Sequence, residues 1–153
     1  MTPFAIALSD FHFTLSPPAC RTEQDIVETQ KKKLRKIVNV ANQHDVPIVC
    51  GGDFFDTWKC SHETVNVAAS ILRDLERPFL SVFGQHELPY HDPMRKMSSS
   101  LSSLLFATGK DLTMTPHTIR VVDNDRPDGL EVAFYGLSWG EEITGTLNMK
   151  HKA

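Results

Sequence analysis

Apolar and polar positions follow two rhythms along this chain. Phe4-Ala5-Ile6-Ala7-Leu8, Pro47-Ile48-Val49-Cys50 and Pro78-Phe79-Leu80-Ser81-Val82-Phe83 are short apolar runs closed by turn residues, the pattern of buried strands. Between them the period is helical. Val27, Leu34, Ile37, Val38 and Ala41 share one helix face, with Thr22 and Asp25 spaced almost as a capping box at its start. Ser61 caps a second helix with Val65, Ala68, Ile71 or Leu72, and Leu75 inward. A third stretch, Ser98 to Ala107, turns Leu101, Leu104 and Leu105 inward and stops at Gly109. Thr118–Val122 and Leu130–Tyr135 read as two strands of a hairpin across the turn-rich segment Asn124 to Gly129. After Gly136 the signals are weak. The predicted order is β-α-β-α-β-α-β-β, an α/β class with a parallel sheet and right-handed crossovers.

Composition supports one domain. The 153 residues are 41% apolar and 23% charged, enough for a core without disulfides. No apolar run is long enough for a transmembrane helix, and Met1 to Ser9 lacks the basic start of a secretory signal. The three cysteines form no C-x-x-C pair, so a reducing, cytoplasmic setting without disulfides is expected. With 16 basic against 19 acidic residues the chain has no global attraction to nucleic acid or membranes. The run Lys31, Lys32, Lys33, Arg35 and Lys36 then reads first as a solvated helix face, with a contact surface for a phosphate backbone as the alternative.

In open α/β sheets ligands bind beyond the carboxyl ends of the strands. The first three strands end in Asp10-Phe11-His12, in Gly51-Gly52-Asp53-Phe54-Phe55-Asp56 and in Gly84-Gln85-His86-Glu87. Each delivers oxygen or imidazole donors to the same edge. Alternate residues of an extended segment point one way, so Asp10 and His12 are expected to grip one ion together. Asp53 has two oxygens and can bridge two ions. Mixed oxygen and nitrogen donors suit Mn, Fe or Zn. His44, His62, His117 and His151 are expected on the surface. His91 is expected there as well, though it follows the third block closely enough to line the pocket, and Tyr90 beside it is expected either to stack on a base or to pack against the fold.

These three blocks resemble the D-x-H, G-D-x-x-D and G-N-H-[DE] signatures of the calcineurin-like metallophosphoesterases, over roughly Phe4 to Tyr90. The resemblance implies an α/β/β/α sandwich around two divalent metal ions, manganese first, with iron or zinc as alternatives. It implies Asp10 and His12 on the first metal, Asp53 bridging both, Gln85 on the second, and His86 as the catalytic histidine. Asp56 would orient ligands by hydrogen bonds. The reaction implied is phosphoester hydrolysis, read as phosphodiesterase or nuclease in the manner of the DNA-repair exonucleases, with DNA or RNA as partner. The alternatives are a phosphomonoesterase acting on proteins or small molecules, and a non-catalytic binding or scaffold protein with a protein partner. Gln85 stands where the family has Asn, and no G-H-x-H follows. Three of the family's five ligand blocks are therefore present. The expectation is a single domain over residues 1–153, incomplete at its C-terminus, with a weak second metal site and little or no activity.

Overall fold

The computed structural model describes residues 3–16, 25–114, 117–123 and 126–141. Four parallel strands, β1 (Ile6–Leu8), β2 (Ile48–Cys50), β3 (Phe79–Ser81) and β4 (Gly109–Asp111), lie side by side in chain order. Ile6, Ile48, Phe79 and Gly109 form one row across them. Each crossover carries one α-helix: α1 (Ile26–Gln43), α2 (His62–Leu72) and α3 (Ser100–Thr108), the last preceded by three short 3-10 turns. Right-handed crossovers between sequential neighbours put every helix on the same face, and α1 packs beside α2, α2 beside α3. The core between this layer and the sheet holds Leu34, Val38 and Ala41 of α1, Ala68, Ile71 and Leu72 of α2, Leu101, Leu104 and Leu105 of α3, and Ile48, Cys50 and Phe79 from the strands. On the other sheet face Leu80 is buried, Val49 half-buried and Ala7 exposed. The antiparallel pair β5 (His117–Asp123) and β6 (Arg126–Phe134) forms a second sheet. Of the four expected layers, one helix layer and two sheets are seen among the described residues.

The helix ends show what starts and stops each helix. Thr22 lies outside the described residues, and Asp25 caps α1, its carboxylate accepting from Glu28 N at 3.0 Å. At the other end Asp45 sits at φ 54°, while Asp45 N bonds Asn42 O and Val46 N bonds Ala41 O. This is a Schellman closure with aspartate in the left-handed position usually held by glycine. Lys32, Lys33, Arg35 and Lys36 are exposed on α1, and Lys31 pairs with Glu28 at 2.8 Å, as a solvated face requires. Ser61 caps α2 and Ser99 caps α3.

Two expectations change. Gly109 does end a helix, but in extended backbone it also starts β4, a strand the apolar pattern does not mark. Arg126 to Gly129 belong to β6 rather than to the connection, with a register irregularity between Val121 and Asp123. Asn124, Asp125 and His151 lie outside the described residues. His44, His62 and His91 are exposed as expected, while His117 is half-buried.

Candidate metal centre

The three ligand loops meet at the carboxyl edge of the parallel sheet. Beyond β1 and β2 the two segments stay paired: Asp10 N bonds Gly52 O at 3.2 Å, His12 N bonds Asp53 O at 3.0 Å, and Phe13 N bonds Phe54 O at 2.6 Å. This segment is not extended. Asp10, His12 and Asp53 have φ of 51°, 48° and 52°. Strand alternation therefore does not align Asp10 with His12; both stand in turns of the left-handed region instead. That region costs an L-residue roughly 1–2 kcal/mol, and such strain concentrates at functional sites. Gly52 is needed where it stands, at φ 103°, because a Cβ there would come within 2.7 Å of Gly84 N.

His12, Asp53 and His86 each offer a ligand atom, and these atoms lie within 4.8 Å of one another. The two imidazoles meet edge to face, ring centroids 4.9 Å apart. One residue fixes both rings. Asp56 Oδ1 lies 3.2 Å from His12 Nδ1, and Asp56 O lies 3.3 Å from His86 Nδ1. A carbonyl only accepts, so His86 Nδ1 carries the proton, and the Asp56 carboxylate favours the same tautomer in His12. In both rings Nε2 is then the nitrogen open to a cation or a substrate. His86 N also donates to Asp53 Oδ1 at 2.9 Å, which ties the third loop to the second. Mixed imidazole and carboxylate donors, with tautomers set for ligation, fit a first-row divalent cation.

Asp10 stands outside this cluster, and its carboxylate accepts from Ser9 Oγ. Gln85 is half-buried; its backbone oxygen accepts from Leu88 N at 3.4 Å and faces His91 Nδ1 at 3.2 Å. Tyr90 and His91 are exposed on the turn that follows.

Sequence reasoning assigned no role to Glu87, and it is the hub beneath the site. It is wholly buried. Its Oε2 accepts from Asp53 N and Gly84 N at 3.0 Å each, and its Oε1 accepts from Phe55 N at 2.9 Å. One carboxylate thereby joins the second loop to the third. Burial pushes its pKa up to about 7 against the pull of these donors. The signal for it was a lone acid next to His86, ahead of buried Leu88 and Pro89. Gln30 of α1 was also missed; its amide donates to His12 O at 3.3 Å.

Among the described residues no helix is long and apolar enough to cross a membrane. The family model of the calcineurin-like phosphoesterases matches residues 5–132. No curated protein matches the chain.

Proposed function

The chain belongs to the calcineurin-like phosphoesterases, and within this family of metal-dependent phosphoester hydrolases we propose that it cleaves phosphodiesters. The observation that carries this reading is the clamp of Asp56 on Nδ1 of both His12 and His86, two rings whose ligand atoms lie with that of Asp53 within 4.8 Å of one another. Asp10, His12 and Asp53 would hold one cation, and Asp53 with Gln85 a second, with manganese the first candidate and iron or zinc the alternatives. Cations held there supply Lewis acidity toward phosphoryl oxygens and an acidified water.

His86 has the other role. It is exposed where His12 and Asp53 are half-buried, so its Nε2 is the nitrogen a phosphate ester reaches from solvent. A protonated His86 donates to the phosphoryl or leaving oxygen, while Asp56 O holds the ring from behind. Asp53 is kept in place from two sides, its backbone N by Glu87 and its carboxylate by His86 N.

The test compares bis(p-nitrophenyl) phosphate with p-nitrophenyl phosphate in manganese. The diester should be the better substrate by kcat/KM. His86→Ala should lower kcat on the order of 10²–10⁴-fold, and Asp53→Asn should abolish turnover. Preference for the monoester would instead support a phosphomonoesterase. Metal binding with no turnover on either substrate would support a non-catalytic protein.

A further inference from the structure

We infer that Tyr90 is a stacking platform for an unpaired base, and that the substrate of the proposed phosphodiesterase is single-stranded nucleic acid. The inference rests on that reading of the site and goes on to name its substrate. Tyr90 follows buried Leu88 and Pro89, which anchor the turn, yet it is 79% exposed. A ring that open contributes little to packing, so the core does not explain it.

The backbone under the ring is costly. Tyr90 has φ 56° and ψ 24°, and His91 has φ 57°. Two successive non-glycine residues in the left-handed region, one of them a bulky aromatic, form a conformation that the chain alone disfavours. It is enforced by His91 N to Leu88 O at 3.0 Å and Asp92 N to Pro89 O at 3.1 Å. His91 Nδ1, 3.2 Å from Gln85 O, ties the turn to the third ligand loop. A device that turns Tyr90 outward is thus coupled directly to the site.

The neighbours suit a nucleotide. The Arg95 guanidinium lies 5.1 Å from the Tyr90 ring centroid, held by Asp92 at 3.4 Å. This pairs a cation for phosphate with a π-face for a base, the combination that binds single strands without sequence preference. Tyr90 follows His86 by four residues, so its Cα lies within about 14 Å of that of His86. A base stacked on Tyr90 is therefore within a few nucleotides of the scissile bond. In a duplex the bases are covered by their neighbours, and the platform has nothing to take.

The experiment measures binding, by fluorescence anisotropy at low salt with EDTA, so that it stands apart from turnover. The probes are a short single-stranded DNA, the same strand with abasic sites, and the duplex. Wild type should bind the single strand about 5- to 150-fold more tightly than the abasic strand, the equivalent of one stacked base. Tyr90→Gly suits the left-handed backbone and removes the ring; it should lose that preference and leave abasic binding unchanged. Tyr90→Phe should keep it. Equal binding of intact and abasic strands by wild type, equal losses on both in Tyr90→Gly, duplex bound as tightly as single strand, or no binding at all would each overturn the inference. Failure to hydrolyse bis(p-nitrophenyl) phosphate would instead sink the phosphodiesterase reading.

Discussion

Replacing Glu87 tests whether one buried carboxylate holds the ligand loops together. Glu87→Ala leaves Asp53 N, Phe55 N and Gly84 N without their acceptor. An unsatisfied buried donor costs roughly 1–3 kcal/mol, so the loss should be at least about 3 kcal/mol in urea denaturation. In Glu87→Gln the amide oxygen can keep Asp53 N and Gly84 N, while the NH₂ group faces Phe55 N; one donor is lost, for about 1–3 kcal/mol. The pH dependence has a definite sign. Burial raises the Glu87 pKa from 4.5 to about 7, so between those values the folded protein holds a proton that the unfolded chain releases. The linked stability is complete below about pH 4.5 and is lost as pH rises through 7. It amounts to the order of 3 kcal/mol. Glu87→Gln cannot titrate, so between pH 5 and pH 8, with EDTA present, the balance between the two proteins should move toward glutamine by that order. An alanine variant within 1 kcal/mol of wild type, or a Glu–Gln difference that is flat with pH, would refute the reasoning.

Other substitutions separate metal binding from folding. Asp56→Ala removes the group that orients His12, and manganese affinity by calorimetry should fall about 10- to 100-fold; because that side chain is 58% exposed, the denaturation midpoint should barely move. In Gly84→Ala the new Cβ would overlap the Asp53 carboxylate and backbone N. Both should suffer there, by tenfold or more in affinity and about 1–3 kcal/mol in stability, and retained affinity would show that the loops are not in contact. Burial pushes the Cys50 thiol up to about 12, so at pH 8 it should resist a thiol reagent until the chain unfolds. Rapid labelling of native Cys50, located by mass spectrometry, would contradict that placement.

How legible each part was follows from where its determinants lie. β1, β2 and β3 are local apolar runs in a sheet packed on one face by helices, and they show in sequence. β4 is Gly-Lys-Asp, and only backbone pairing with Phe79, Leu80 and Ser81 defines it. The closure of α1 at Asp45 was hidden because glycine is the usual marker of that conformation. The three ligand blocks were readable by residue type and by their place at strand ends. The left-handed turns at Asp10 and His12 were not, because pairing with the neighbouring loop imposes them from outside. Glu87 reaches 34 residues back to Asp53, and no local pattern reports such a contact.

The aromatic residues within the blocks explain how strained loops hold their shape. Asp10-Phe11-His12-Phe13 and Asp53-Phe54-Phe55-Asp56 interleave ligand-type residues with rings. Phe13, Phe54 and Phe55 are completely buried, while the acids and His12 face outward. Phe54 touches Phe11, Phe13, Phe55 and Phe79, so the second loop is bolted to the first and to β3 from below. Burying such a ring stabilises by roughly 2–3 kcal/mol, more than one left-handed residue costs. The energy that sets the turns at Asp10, His12 and Asp53 thus comes from the core rather than from the donors. It follows that the arrangement of His12, Asp53 and His86 is set by the phenylalanines and Glu87 beneath them and does not wait for a cation.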